Sequence, residues 1–401
     1  MHILMISVPF PYPPSRGGTP VRTFHLLQQL GRRHQVTLVT QEDPLVGPQQ
    51  VEELRQWVQR LVIFPRAAAQ LQPGLKGKAR RFLEFALRGT PPHVNCFRQD
   101  AMQAWIDRWV EQGRADAITC EHSVNEIFVR PHYRHQVSRL VVNIHSSLYG
   151  TLVQQLRTGT AENPVRDLLN VPLIRRYERR YASKFTDLVV TTPEDRRFFL
   201  PLRRQAPLHV VPNGVDLAKF PLRSHDPGGH NLVFVGAMDY IANVDTAKYL
   251  AQELLPSLRR RYSQATLTLV GSQPNPAVQA LGQLPGVQVT GQVPQVVDYL
   301  HRATVCVIPM RIGYGIKNKT LEAMAAGVPV VASDRGLEGL AVDCPLAALR
   351  ANRLTEYLEA IEKLFEQPQL RQQMTIRARK LIEAEFTWDQ IGQKYDQILQ
   401  G

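Results

Sequence analysis

Residues Val305–Ser333 read VCVIPMRIGYGIKNKTLEAMAAGVPVVAS, and segments of different composition follow one another in this stretch. The apolar run VCVIP leads into a polar, glycine-containing loop, the alanine-rich segment LEAMAAG comes next, and the apolar run PVVAS ends the stretch. Short apolar runs bounded by turn residues are typical of strands that are buried on both faces of a parallel sheet. The stretch therefore predicts a strand–loop–helix–strand unit of an α/β protein.

The same alternation occurs along the chain in two series. The first series starts with HILMIS, a proline- and glycine-rich loop and the helical segment VRTFHLLQQLGRR, and its later strand candidates are HQVTLVTQ, LVIFP, AITCEH, LVVNIH, DLVVTT and LHVVPNG. The second series comprises NLVFVGAM, ATLTLVG, VQVTG, VCVIP and PVVAS. A joint near VVPNGVDLAKFP separates them, and an insertion at about 66–114 is largely helical in composition. Two doubly wound domains that face a central cleft are therefore expected.

Composition restricts the class of protein. The chain has 401 residues, enough for two domains, with 44% hydrophobic and 21% charged residues, as is usual for a soluble globular protein. No apolar run is long enough to span a membrane, the N-terminus lacks a signal-peptide pattern, and the scattered cysteines predict reduced thiols in a cytoplasmic protein. The net charge of +13 indicates an anionic partner, which leaves nucleic acid, a membrane surface and a phosphorylated substrate open.

Polar, glycine-rich loops follow several of the predicted strands. Ligands of doubly wound sheets bind at the carboxyl ends of the strands, so these loops are the candidate binding positions. They are Ser15–Gly18, Glu121–Glu126, Asn143–Ser147, Thr191–Asp195, Gly236–Asn243, Gly271–Pro276 and Gly313–Asn318.

Taken together, the Gly17–Gly18 loop, VVPNGVDLAKF, LVFVGAM and LEAMAAGVPVVAS resemble the retaining, family 4-like glycosyltransferases of GT-B fold over nearly the whole chain. A closer similarity is to sugar transferases of exopolysaccharide clusters linked to exosortase systems, with Ala242 where their pattern has proline. The resemblance implies an acceptor-binding Rossmann-like domain at 1–212 and a nucleotide-sugar-binding one at 213–384. It also implies that the amphipathic helix within 385–401 returns to the first domain, with Trp388 and Tyr395 buried against it.

The resemblance places a nucleotide-sugar on the second domain. The glycines of the loop permit close approach of the backbone to the diphosphate, and the N–H groups at the helix N-terminus can bind it. A carboxylate accepts two hydrogen bonds from the ribose hydroxyls, and the resemblance assigns this role to Glu322. Glu322 as a helix-start carboxylate, and the lysines as merely solvated, are the alternatives. The predicted donor-binding residues are Gly17, Gly18, Asp239, Asn243, Gly313, Gly315, Ile316, Lys317, Asn318, Lys319 and Glu322.

Two positions are predicted to serve catalysis. The family places a histidine or aspartate near the reacting sugar, which corresponds to His145 after the strand RLVVN, although a strand-end cap is the alternative. Tyr314 stands where the family has a first glutamate, so either its hydroxyl or the backbone N–H groups of its loop contact the sugar. Glu121 and His122 are weaker candidates, and Asn213–Gly214 is interpreted as a tight turn.

The reaction implied is transfer of a hexosyl group from a nucleoside diphosphate sugar to a hydroxyl, without cofactor or metal, because no acidic DxD-like cluster follows a strand. Basic amphipathic segments such as LKGKARRFLEFALRG and RRYERRYASK predict either solvated helix faces or docking of the protein on the inner face of an anionic membrane, next to a lipid-linked acceptor. A GT-B-fold nucleotide-sugar epimerase is the alternative enzyme. A nucleic-acid-binding protein is disfavoured because no basic patch is interleaved with stacking aromatics.

Overall fold

The strands form two separate parallel sheets in the computed structural model, which describes residues 1–14, 17–66, 75–202 and 206–401. The described chain divides into two compact units. The first comprises Met1–Pro212 together with Ile391–Gly401, and the second comprises Asn213–Gln390.

The sheet of the first unit has seven strands among the described residues, in the order β3-β2-β1-β4-β5-β6-β7. They are β1 His2–Ile6, β2 Gln35–Gln41, β3 Arg60–Phe64, β4 Ala117–Glu121, β5 Arg139–Ile144, β6 Asp187–Val190 and β7 Leu208–Val210. Every neighbouring pair is parallel, and the central strands are buried along most of their length. This burial on both faces explains why they are continuous apolar runs in the sequence.

Helices lie between these strands. They are α1 Gly18–Gly31, α2 Pro48–Arg55, α3 Leu75–Arg88, α4 Pro92–Asn95, α5 Asp100–Glu111, α6 Leu148–Thr158, α7 Pro164–Ala182 and α8 Pro193–Phe199, with 3₁₀ turns at Ser123–Phe128 and Pro131–His135. The largely helical insertion predicted at 66–114 is confirmed over the part that is described, where α3, α4 and α5 lie.

The second unit repeats this plan, with the strand order β10-β9-β8-β11-β12-β13. The strands are β8 Asn231–Val235, β9 Thr266–Val270, β10 Val287–Val289, β11 Val305–Ile308, β12 Val330–Ala332 and β13 Leu349–Arg350. The helices are α9 Ile241–Tyr249, a π-helical turn Leu250–Leu254, α10 Leu255–Arg259, α11 Pro276–Leu281, α12 Val296–Arg302, α13 Asn318–Ala325, α14 Leu354–Glu366 and α15 Pro368–Glu385. The last helix, α16 Trp388–Gln400, begins in this unit and ends in the first.

Both sheets have the doubly wound arrangement that the alternation of segments predicted. In each, the order reverses between two central strands, β1 and β4 in the first sheet and β8 and β11 in the second. Ligands bind at such reversal points, because the two following loops diverge to opposite faces and leave a crevice. The loops after these strands include most of the predicted site residues. β13 was missed by the sequence analysis because a two-residue strand has no detectable periodicity.

Candidate active site

The loop Gly313–Lys317 connects β11 to the N-terminus of α13 in the second unit. Gly313 and Gly315 have φ of 95° and 85°, a left-handed backbone that favours glycine at both positions. No side chain caps α13, and within the described residues the N–H groups of Asn318 and Lys319 have no hydrogen-bond acceptor. The arrangement leaves two N–H donors and the positive end of the helix dipole open to an anion.

Lys319 lies just inside this helix with its ammonium turned back toward the sheet. Its Nζ donates to Asn243 Oδ1 at 2.5 Å and lies 4.2 Å from the centre of the Phe234 ring. Burial lowers the pKa of Lys319 to about 7, with a smaller lowering from the nearby Lys317 charge. A half-buried lysine with a depressed pKa is poised to be protonated when an anion arrives.

Lys317 is engaged inside the loop. Its ammonium donates to the Gly315 carbonyl and lies 3.2 Å from Glu338, and Glu338 also pairs with Arg335. The Arg335 guanidinium in turn lies over the Tyr314 ring, 4.1 Å from its centre. Two cations therefore share one buried carboxylate, which fixes the loop and leaves an excess of positive charge beside it. The phosphate contact predicted for Lys317 stays a prediction.

Glu322 lies in the second turn of α13, so the alternative of a carboxylate in the first helical turn does not describe it. Among the described residues, no hydrogen-bond donor contacts its carboxylate. Burial raises the pKa of Glu322, while the charges of Lys219 and Lys319 lower it. A half-buried carboxylate whose oxygens are unused within the described chain suits a ligand that supplies two hydroxyl donors.

The loop after β8 lies against the same helix. A Cβ on Gly236 would come within 2.6 Å of Asn243 Nδ2 and 2.9 Å of Lys319 Nζ, so glycine is required there for lack of space. Asn243 is buried and also donates to the Ala237 carbonyl at 2.8 Å. Asp239 is exposed just before α9. The contact between Lys319 and Asn243 thus joins the loops that follow β8 and β11.

Two further predicted positions have structural contacts in the second unit. Ile316 is 7% exposed and belongs to the hydrophobic core. The side chain of Asn318 accepts a hydrogen bond from Asn213 Nδ2 at 2.6 Å. Asn213, interpreted from the sequence as part of a turn, therefore anchors the start of α13.

In the first unit, His145 follows β5 and is half-buried. Its Nδ1 lies 3.2 Å from the Thr19 hydroxyl on α1, whereas its Nε2 is buried without a partner among the described residues. Burial lowers the pKa of His145 well below its usual value, and the charges of His122 and Arg22 lower it further. Burial thus favours the neutral imidazole, one of whose nitrogens has no hydrogen-bond partner within the described chain.

His122 directly follows β4 and contacts His145 edge to face, with ring centres 5.0 Å apart. Its φ of 82° is unusual for a residue other than glycine, and such strain persists only where the surroundings hold it. Asn125 provides part of that support, because it donates to the His122 carbonyl and accepts from the Val8 N–H at 2.7 Å. Burial lowers the pKa of His122 to about 4, and His93 adds to the effect.

The glycine pair at the start of α1 belongs to the first unit. Gly17 is the N-cap and has φ of 116°, so its backbone conformation favours glycine. A Cβ at either Gly17 or Gly18 would meet no described atom within 4 Å, which leaves room beside the helix start. Ser15, at the beginning of this predicted loop, lies outside the described residues. The substrate contact predicted for the two glycines stays a prediction.

The structure thus gathers the predicted residues into two sets, each described within its own unit. His145 lies beside His122 and Thr19, and the loop containing Tyr314 lies beside Lys319 and Asn243. Sequence reasoning missed Glu338, Arg335, Asn125 and Arg22. Glu338, Asn125 and Arg22 are buried and Arg335 is partly buried, and the sequence carries no local signal of that burial.

The described residues contain neither a cluster of potential metal ligands nor a membrane-spanning helix. No group of three histidine, cysteine, aspartate or glutamate side chains is arranged to hold a metal ion. No described helix is both long and apolar enough to cross a bilayer.

Known proteins with a similar fold were found over the full length of the chain. Sucrose-phosphate synthase from Thermosynechococcus elongatus is 19% identical with a TM-score of 0.71, and the match covers 100% of this chain and 98% of that one. Anabaena HepE, solved in complex with UDP and glucose, is 14% identical with a TM-score of 0.67, covering 100% and 99%. Both likenesses concern the fold.

Curated relatives match about half of the chain. A glycogen synthase of Mycobacterium tuberculosis is 27% identical over 205 residues, which are 48% of this chain and 48% of the relative. The D-inositol 3-phosphate glycosyltransferase of Frankia alni is 29% identical over 227 residues, 50% of this chain and 55% of the relative. The chain therefore spans about half the length of the curated relatives it matches.

Two family descriptions cover most of the sequence. Residues 229–367 match "Glycosyl transferases group 1", and residues 16–219, more than half of the chain, match "Glycosyltransferase Family 4". With two doubly wound units of GT-B type and matches to glycosyltransferase domains in both, the chain belongs to glycosyltransferase family 4.

Proposed function

We propose that the protein transfers a hexosyl group from a nucleoside diphosphate sugar to a hydroxyl acceptor, with retention of anomeric configuration. The observation that carries this proposal is the uncapped N-terminus of α13, which joins two open N–H groups, a glycine loop and Lys319. The solved complexes of Anabaena HepE with UDP, and with UDP and glucose, support a nucleotide-sugar as the donor.

The chemistry requires stabilisation of the departing diphosphate. The bond between the anomeric carbon and the diphosphate oxygen breaks, the acceptor oxygen forms a new bond to that carbon, and the acceptor proton is released. Negative charge grows on the leaving diphosphate, where the N–H groups of Asn318 and Lys319 and the Lys319 ammonium would receive it. In this proposal these groups stabilise the charge without a metal or cofactor.

The other residues have positioning roles in this proposal. Glu322 accepts the two ribose hydroxyls, and the Tyr314 loop contacts the transferred sugar. His145 offers its uncommitted Nε2 to the sugar or to its leaving group. The resemblance of the chain to retaining transferases supports the proposal of retention.

The acceptor is proposed to be a lipid-linked or polysaccharide precursor at the inner face of an anionic membrane, as in exopolysaccharide synthesis. Two helices of the first unit support this, because their exposed faces carry large apolar side chains that are 40–73% exposed. These are Phe82, Leu83 and Leu87 on α3 and Val165, Leu168 and Leu169 on α7. We call them the α3–α7 surface.

Basic side chains accompany the α3–α7 surface. Arg176 and Arg180 of α7 donate to the carbonyl groups of Ala86 and Arg88 at the end of α3, which fixes the two helices together. Exposed arginines such as Arg175 and Arg179 lie further along α7. Apolar side chains that enter the bilayer interface, flanked by arginines that meet anionic headgroups, are the pattern of a peripheral membrane helix. A third basic segment, DRRFFLPLRRQ at 195–205, ends in residues 203–205, which lie outside the described residues.

The donor proposal is tested by thermal shift of the purified protein with UDP, GDP and ADP and their sugars, followed by transfer assays with the stabilising donor. Binding stabilises a protein as the logarithm of ligand concentration over Kd, so one nucleotide series should raise Tm clearly above the others. NMR of the product then gives its anomeric configuration. Conversion of the donor into another nucleotide-sugar without transfer would favour the epimerase, and an inverted product would refute retention.

Membrane docking is tested by flotation with vesicles of phosphatidylglycerol and of phosphatidylcholine. The wild-type protein should float with the anionic vesicles, and the double substitution Leu168→Ser, Leu169→Ser should weaken this. Ile376→Ser, at an exposed apolar position of the second unit, is the matched control and should float as wild type does. Equal flotation of the double variant and the wild type would refute the α3–α7 surface as the docking site.

A further inference from the structure

A buried carboxylate lies directly before His122 in the first unit. Glu121, the last residue of β4, is fully buried. Its Oε1 accepts hydrogen bonds from the Thr119 hydroxyl at 2.7 Å and from the Tyr395 hydroxyl at 2.8 Å. Its Oε2 accepts from Asn143 Nδ2 at 2.8 Å. A buried charge is tolerated only when its oxygens are satisfied in this way, so each donor is important to the conformation around it.

The hydrogen bonds continue from Asn143 to α1. Asn143 accepts from Arg22 Nε at 3.1 Å, and Arg22 also donates to the carbonyl groups of Val211 and Pro212 at 2.9 and 2.8 Å. Arg22 is 1% exposed, so its charge needs the nearby Glu121 charge for compensation. One polar network thus joins α1, β4, β5, the end of the first unit and the last helix.

The residues of this network lie close to two histidines, His122 and His145. Glu121 adjoins His122, and Asn143, on β5, lies two residues before His145. Arg22 lies one helical turn after Thr19, which contacts His145. The strained φ of His122 begins one peptide bond beyond the carboxylate. The only member of the network that comes from the C-terminal segment of the chain, among the described residues, is Tyr395.

We propose that Tyr395 is a positioning residue, which fixes the His122–His145 pair by hydrogen bonding to the Glu121 carboxylate. The inference rests on the proposed function in so far as the pair serves sugar transfer. Loss of the hydroxyl would leave Glu121 with one donor fewer on Oε1, and the carboxylate would turn to recover it. Asn143 and the backbone of His122 would move with it, while the nucleotide contacts of the second unit would not change.

The matched control is on the same helix. Asp396 follows Tyr395 and pairs with Arg33 at 3.0 Å and with His34 at 2.5 Å, without contact to Glu121. Asp396→Asn therefore loosens the attachment of α16 to the first unit but leaves the donors of Glu121 in place. Comparison with Tyr395→Phe separates loss of helix attachment from loss of the hydrogen bond.

The experiment measures kcat, KM for the donor, the Kd of the nucleoside diphosphate, and the ring ¹H–¹³C NMR signals of labelled histidines in both variants. Tyr395→Phe should lower kcat about tenfold or more, since small misplacements of catalytic groups have large effects, with KM and Kd near wild type. Its His122 and His145 signals should shift. Asp396→Asn should shift the His34 signal and keep kcat.

The NMR signals of His122 and His145 test the positioning role of Tyr395 even if no sugar transfer is observed. Unshifted His122 and His145 signals in Tyr395→Phe, or an equal loss of kcat in Asp396→Asn, would overturn the positioning role. If Tyr395→Phe does not fold, Glu121→Gln replaces it, because the amide keeps the shape of the carboxylate and disturbs the same hydrogen bonds. A wild-type protein without transfer activity would refute the proposed function alone, since the signals report on the histidines directly.

Discussion

Lys319 should take up a proton when the nucleotide binds. In the free protein burial, together with smaller effects of neighbouring charges, lowers the pKa of this lysine from 10.5 to about 7, which disfavours its charged form by about 5 kcal/mol. A diphosphate placed at the N-terminus of α13 would favour the charged form and raise the pKa again. Replacing the lysine with methionine removes the titrating group and keeps most of the apolar stem.

The pKa of Lys319 determines how many protons are taken up on binding and how the nucleotide affinity depends on pH. At pH 8 a lysine of pKa about 7 is about nine-tenths neutral, so binding should take up about 0.9 proton. The affinity should fall about fiftyfold between pH 7 and pH 9, as the free protein loses the proton that the complex holds. By the same linkage, Lys319 makes the free energy of unfolding rise with pH between about 7 and 10.5, because the unfolded chain binds that proton more tightly.

Isothermal titration calorimetry with UDP or GDP, in buffers of different ionisation enthalpy, counts the protons taken up. Lys319→Met should bind more weakly at pH 7 and show no proton uptake at pH 8. Lys248→Met removes an exposed lysine from α9 of the same unit and should behave as wild type. Proton uptake that is the same in Lys319→Met and in wild type would refute the reasoning.

Three other substitutions test the remaining assignments. Glu322→Ala should weaken nucleotide-sugar binding by about 1.5–3 kcal/mol, the range for a hydrogen bond to a charged group, and unchanged calorimetry of the folded variant would contradict the ribose contact. His145→Ala should lower kcat much more than it changes nucleotide affinity, whereas turnover near wild type would make the histidine a strand-end cap. Glu178 is buried at the N-terminus of α6, which raises its pKa to about 7, so the folded protein binds its proton more tightly than the unfolded chain does. The free energy of unfolding should therefore fall by about 3 kcal/mol as pH rises from 4.5 to 7. Urea denaturation of Glu178→Gln should show no such fall. If the variant keeps the pH dependence of the wild type, the Glu178 carboxyl does not titrate in this range.

Local sequence patterns predicted the strands of both sheets except the two-residue β13. Strands such as Ile3–Ile6 and Val305–Ile308 are buried on both faces, so their apolar runs could be recognised without knowledge of their neighbours. The glycines of the Gly313–Lys317 loop could be placed as well, since a positive φ at Gly313 and Gly315 is a local requirement. The sequence also indicated the family, from segments distributed along the whole chain.

Only the tertiary structure decided which charges meet. The sequence left open whether Lys317 contacts phosphate or is solvated, and it did not indicate that the Lys317 ammonium pairs with Glu338, twenty-one residues away, or that Arg335 stacks on Tyr314. Glu121 was a weak candidate for catalysis, yet the Tyr395 hydroxyl reaches its carboxylate across 274 positions of sequence. The partners of a buried charge are the groups that the fold places next to it, often far away in the sequence. The energy of such a pair depends on its distance in space and on the exclusion of water, so a local sequence pattern does not identify the partner.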